Sequence, residues 1–154
     1  MARHAEPITD TAQAAEVLAC LFDEHEHAVF FGGAGVSTAS GIPDFRSVDG
    51  LYSQHFAYPP ETMLSHSFFE AHPEEFFRFY RERMIALGAK PNTCHVKLAE
   101  LERLGKLDAV VTQNIDGLHQ AAGSKCVWEL HGSVHRNICQ WLRHGVRRKA
   151  YSLA

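Results

Sequence analysis

The chemistry in this chain is concentrated in three short stretches. Gly32, Gly33 and Gly35 stand around Ala34 and lead into Val36-Ser37-Thr38, a run of small residues. Glycines let the backbone approach a diphosphate closely, and free N–H groups at a helix start favour its negative charge. Directly after, Ser40-Gly41-Ile42-Pro43-Asp44-Phe45-Arg46 sets an acid, an aromatic and a base side by side. The second stretch is Thr112-Gln113-Asn114-Ile115-Asp116-Gly117-Leu118-His119. Its amides and carboxylate either satisfy backbone groups at a strand end or hold a ligand. The third is Glu129-Leu130-His131-Gly132-Ser133. The ordinary pKa of an imidazole lies near neutrality, which suits a residue that takes a proton from a hydroxyl and hands it on.

These residues need elements to hold them. The apolar run Ala28–Phe31 reads as a strand entering the glycine loop, Leu107–Thr112 as a second strand, and Cys126–Leu130 as a third that delivers His131. Open α/β sheets place ligand contacts at the carboxyl ends of strands, so the three ends are expected to converge on one crevice. Asp10 can cap a helix from Thr11 to about His25, with Val17, Leu18, Leu21 and Phe22 at helical spacing and packed against the sheet. Residues 48–90 are aromatic-rich and read as a helical insertion, broken at Tyr58-Pro59-Pro60 and restarted at Pro73. In its last helix Phe76, Phe77, Tyr80 and Met84 share an expected core face, opposite Arg78, Arg81, Glu82 and Arg83. Pro91-Asn92-Thr93-Cys94-His95 opens a further helix with a stripe of Leu98, Leu101 and Leu104, closed by Gly105, and a short helix follows Gly117. The fold class is α/β, a Rossmann-like parallel sheet with a helical insertion.

Length and composition narrow the function. A chain of 154 residues with 45% hydrophobic content can bury one moderate core, and a formal charge of −3 gives no electrostatic case for nucleic acid. No apolar run is long enough to span a bilayer and no secretory leader is evident, so a cytoplasmic protein without membrane contact is expected. Cys20, Cys94, Cys126 and Cys139 are widely spaced without a Cys-x-x-C pair, which suits reduced thiols. His131, His135 and Cys139 do not make a zinc site, because no fourth ligand stands nearby. A dinucleotide fingerprint of the dehydrogenase type needs a third glycine where Thr38 stands, so hydride transfer fits poorly.

Taken together, the three stretches, in this order, closely resemble the sirtuins, the NAD-dependent protein deacylases; Asn92 and His95 also resemble the family pattern. The resemblance implies NAD as cofactor and acyl-lysine proteins as substrates, with the acyl group transferred to ADP-ribose and nicotinamide released. It implies a cofactor site at Gly33, Ala34, Gly35, Thr38, Asp44, Phe45, Arg46, Gln113, Asn114, Ile115 and Asp116, with Asp116 on the nicotinamide carboxamide and His131 as general base. It covers roughly residues 8–139. Complete sirtuins carry two Cys-x-x-C pairs on a zinc module; here Cys139 is the sole remnant, Leu142 stands three positions on, and residues 140–154 form a divergent basic tail. A C-terminally truncated, inactive form that at most binds nucleotide or protein is the alternative expectation.

Overall fold

A computed structural model of the chain describes residues 7–48, 50–53, 56–138 and 145–147. Its core is a three-stranded parallel sheet in the order β1 (Val29–Gly32), β2 (Ala109–Thr112) and β3 (Val127–Glu129). Phe31 pairs with Val111 and Val111 with Trp128, so these three side chains project from the same face, while Phe30, Val110 and Val127 share the other. The second face is covered. Leu98, Leu107 and Val110 form a buried cluster there, joined by Phe22, Ala28, Phe30, Leu101 and Val127.

Two helices supply that cover. Helix α5 (Thr93–Arg103) begins with a reciprocal cap in which the Asn92 side chain accepts from the His95 backbone and His95 accepts from the Asn92 N–H. Leu98 is buried, whereas Leu104 at the end of the stripe is exposed. Helix α1 (Thr11–Glu24) is capped by Asp10, which accepts from the Gln13 N–H at 2.9 Å. The sequence leads one to expect this helix flat against the sheet, yet it has no fully buried residue, and Val17, Leu18 and Leu21 are exposed. Phe22 in its final turn makes the core contact, so the helix touches the sheet layer by its end.

The connection from β1 to β2 contains the whole helical insertion, with α2 (Pro60–Met63), α3 (His66–Ala71) and α4 (Pro73–Phe79). Pro60 and Pro73 occupy first-turn positions, where a missing N–H costs nothing. The insertion has its own core of Leu51, Met63, Phe68 and Phe79, packed by Phe45, Phe56, Phe76 and Met84. Here the expected aromatic face is corrected: Phe79 is the buried ring of the last helix, not Phe77 or Tyr80. Phe79 stands three residues after Phe76 on the same helical face, and the π turn at Tyr80–Met84 brings Met84, five residues on, over it.

Beyond β3 the chain forms a second, two-stranded sheet: β4 (Arg136–Ile138) pairs antiparallel with β5 (Gly145–Arg147). The short helix α6 (Leu118–Ala122) lies between β2 and β3 and is bounded on both sides by glycines with left-handed backbones, Gly117 and Gly123. Among the described residues no helix is long and apolar enough to cross a membrane.

Candidate active site

The carboxyl ends of β1 and β2 meet in a hydrogen-bonded relay. Strand β1 stops at Gly32, whose carbonyl accepts the Gln113 N–H at 3.0 Å. The helix that opens after it is a seven-residue 3-10 segment, Ala34–Ser40. Such a short segment carries little dipole, so access of an anion to the backbone at Gly33 and Gly35 matters more than helix electrostatics. A side chain at Gly35 would meet nothing within 4 Å.

Ser37 is the hinge of the relay. Its side chain is 1% exposed; its hydroxyl donates to Asp116 Oδ2 at 2.7 Å and accepts from Asn114 Nδ2 at 3.0 Å. A hydroxyl has one proton, so both bonds fix its direction, and Asp116 acts as an acceptor. Asp116 Oδ1 takes the Leu118 N–H at 2.9 Å. Each carboxylate oxygen keeps a second lone pair for a ligand donor. Asn114 is itself set by its N–H to Thr112 Oγ1 at 3.0 Å.

Asn92 ties the next layer on. Its amide donates to the Val36 carbonyl at 2.7 Å and to Ser40 Oγ at 3.0 Å, which anchors both ends of the 3-10 segment to the start of α5. His95, three residues on, is fully buried and packs its ring 4.7 Å from that of His119, which is 1% exposed. His95 Nδ1 accepts the Asn92 N–H at 3.3 Å, so a neutral His95 carries its proton on Nε2. That nitrogen and both ring nitrogens of His119 have no hydrogen-bond partner among the described residues. Burial pushes the pKa of His95 down, against the pull of Asp116; it does the same at His119, where the neighbouring His95 adds to the lowering and Asp116 and Glu129 oppose it.

The expected cofactor residues divide between two bodies of structure. Gly33, Gln113, Asn114 and Asp116 stand around the relay, with the Gln113 side chain 3.9 Å from where a Gly33 Cβ would be. Ala34 and Gly35 open the 3-10 segment, and Thr38 turns its hydroxyl onto the Gly35 carbonyl at 2.9 Å. Ile115 presents its carbonyl to the Val134 N–H at 3.0 Å. Asp44, Phe45 and Arg46, by contrast, form a self-contained turn on the insertion: Asp44 Oδ1 accepts the N–H groups of Arg46 and Ser47 at 3.2 and 2.8 Å. Those bonds hold the Asp44 carboxyl below its ordinary pKa, the Ser47 backbone bond being the largest cause. Phe45 packs on Tyr52 with ring centroids 5.5 Å apart. His131 is exposed, one turn past β3, where Leu130 still bonds Thr112 at 2.9 Å. Cys139 lies outside the described residues.

Ser37, Asn92, His95 and His119 belong to the site although the sequence reading assigns them no role. The readable signal was the Asn92-x-x-His95 spacing of a reciprocal cap. The burial of two imidazoles against each other has no sequence signature.

The Sir2 family pattern matches residues 33–152, running beyond Cys139 where the motif resemblance fades. A protein of Clostridium acetobutylicum named NAD-dependent protein deacetylase is 66% identical over 118 residues, covering 75% of this chain and 48% of its own length. One of the same name from Cutibacterium acnes is 59% identical over 126 residues, covering 80% of this chain and 52% of its own. The chain thus spans about half the length of the curated relatives it matches. Among solved structures, a Sir2 protein with deacetylated p53 peptide and 3'-O-acetyl ADP ribose superposes with a TM-score of 0.80 at 44% identity, over 87% of this chain and 53% of the other. A complex of Sir2, p53 peptide and NAD+ gives a TM-score of 0.75 at 46% identity, over 88% and 52%. The chain belongs to the Sir2 family.

Proposed function

We propose that this chain carries the cofactor crevice and general base of an NAD-dependent protein-lysine deacylase, most simply a deacetylase acting in the cytoplasm. The observation that carries the reading is the Asn114–Ser37–Asp116 relay beside two buried histidines, of whose ring nitrogens only His95 Nδ1 has a partner among the described residues. That donor and acceptor set fits NAD: a carboxylate with free lone pairs for a carboxamide, the Gln113 and Asn114 amides for the ribose, and open glycine backbone for the diphosphate. The deacetylase names and the NAD- and peptide-bound structures of the relatives support the same ligands.

When bound, NAD supplies an electrophilic ribose carbon and a nicotinamide leaving group. Asp116 holds the carboxamide and Ser37 keeps the acid in register. Gln113 and Asn114 face the ribose, and the loop of Asp44, Phe45 and Arg46 closes over the cofactor and keeps water out. Were NAD bound, the acyl oxygen of the modified lysine would displace nicotinamide at the ribose carbon and His131 would take the proton of a neighbouring ribose hydroxyl; passage of the acyl group to that oxygen, with one water consumed, would give free lysine and O-acyl-ADP-ribose. No role is assigned to zinc: Cys139 stands alone against the family's two cysteine pairs.

A chimaera in which residues 33–138 replace the matching segment of the C. acetobutylicum relative tests the reading. With NAD and an acetyl-lysine peptide it should release nicotinamide and deacetylate the peptide, and His131→Ala should stop it. Parent-rate turnover by His131→Ala would remove the catalytic assignment. A second reading, that the 154-residue polypeptide alone is inactive, is favoured by the uncovered face of its sheet, where Phe31 and Trp128 are 62% and 64% exposed.

A further inference from the structure

We infer that His135 is a positioning residue for Asp116, acting through the main chain of the Asp116–Gly117 turn. Its consequence for cofactor binding rests on the proposed NAD-dependent reading; its geometry does not. After β3 the chain turns back and lays residues 133–135 against the exit of β2. Two bonds join these segments: the Val134 N–H donates to the Ile115 carbonyl at 3.0 Å, and His135 Nε2 lies 2.8 Å from the Asp116 carbonyl oxygen. A carbonyl only accepts, so Nε2 must carry the proton. Val134 is 4% exposed, which seats the pair of contacts in a packed environment.

The ring also fills the space that a side chain on Gly117 would need. A Cβ there would stand 2.6 Å from His135 Cδ2 and 2.8 Å from Nε2, and Gly117 has a φ of +73°. Glycine at this angle gains nothing from its own sterics to hold one conformation. The bond to His135 supplies that restraint. Asp116 is therefore gripped at both ends: its carboxylate by Ser37 and Leu118, its carbonyl by His135. Release of the carbonyl lets the peptide plane between Asp116 and Gly117 rotate and swings the carboxylate off Ser37. His135 also links the loop that follows the general base to the acid across the crevice, so the two sides of the site move together.

The test uses the chimaera that carries residues 33–138 in the C. acetobutylicum relative and two substitutions that separate donor from bulk. His135→Gln keeps an N–H at similar reach; His135→Phe keeps the ring and removes the donor. Nitrogen-15 NMR of the parent should show a proton on His135 Nε2, and a ring protonated on Nδ1 alone would overturn the proposal. In the Phe variant the Leu118 amide, which reports the Asp116 Oδ1 bond, should shift and exchange faster, and NAD should bind about tenfold more weakly. The Gln variant should stay within about twofold of the parent. A Phe variant indistinguishable from the parent means that His135 only packs, and the proposal fails. A parent that does not bind NAD defeats the cofactor reading, and the Leu118 amide then decides the role of His135 alone. If the Phe variant does not fold, the parent tautomer and the Gln variant still decide: a Gln variant with a released Leu118 amide overturns it.

Discussion

Ser37 and Asp116 lie 79 positions apart in sequence and share a 2.7 Å hydrogen bond that joins the exit of β1 to the exit of β2. Because Ser37 also accepts from Asn114, one hydroxyl orients both an acid and an amide. Ser37→Ala removes the donor to a charged acceptor and leaves Asn114 without its partner. Hydrogen bonds to charged groups contribute about 1.5–3 kcal/mol, so NAD affinity of the chimaera should fall by roughly ten- to a hundredfold. Isothermal titration checks this, and unchanged affinity would take Asp116 out of the ligand contacts.

Stability should fall in mild acid because His95 and His119 are buried in the neutral form. Both have folded-state pKa values below the ordinary 6.5. In the pH window below that value the unfolded chain binds more protons than the folded one, so unfolding gains as pH drops. The stabilisation is present above about pH 6.5 and lost progressively below it. Melting temperature measured from about pH 8 to pH 5 should show this descent, and a His119→Leu variant should flatten it. A parent that melts at the same temperature throughout would mean the two rings are hydrated.

The strands and the polar ends that they deliver were readable because apolar runs and the residues that end them are local. Ala28–Phe31, Leu107–Thr112 and Cys126–Leu130 each contain the observed strand or overlap nearly all of it. What stayed hidden depends on partners far away in sequence. Nothing in His95 and His119 taken singly shows that α5 and α6 press them together. The π turn at Tyr80–Met84 sets Met84 over Phe79 at a spacing of five, which a 3.6-residue period cannot register. The exposed stripe of α1 looks in sequence like any helix packed along its length, because amphipathic spacing states a preference for cover and not its supply.

Gly50 is fixed by the turn that carries Asp44. A Cβ there would lie 2.8 Å from the Phe45 carbonyl carbon, 2.9 Å from the Arg46 nitrogen and 2.9 Å from Asp44 Oδ1. The first two are backbone atoms and cannot step aside cheaply. Gly50→Ala should therefore open the turn, losing the bond from Leu51 N to the Asp44 carbonyl, and destabilise the insertion by about 1–3 kcal/mol. Hydrogen exchange at Leu51 and Tyr52 is the measurement; protection equal to that of the parent would show that the turn is more compliant than its contacts imply.

The last expectation concerns the polypeptide of residues 1–154 by itself. Parallel sheets are ordinarily covered on both faces. Here Val29, Phe31, Trp128 and Leu130 are 58%, 62%, 64% and 57% exposed, and strand register puts Phe31 and Trp128 on one side with Val111 between them. Full burial of a large apolar side chain contributes about 1.5–3 kcal/mol. Four uncovered chains thus forgo an amount comparable with the whole stability margin of a domain, about 5–15 kcal/mol. The isolated polypeptide should melt broadly, bind an environment-sensitive apolar dye, and self-associate as its concentration rises. It should also turn over little acetyl-lysine peptide, because a sheet that shifts under its ligands cannot hold two reactants in line. Paired substitutions Phe31→Thr and Trp128→Thr should reduce dye binding and association without restoring turnover. A sharp cooperative melt of the parent, together with peptide-dependent nicotinamide release, would show that the exposed face costs the fold nothing that catalysis needs.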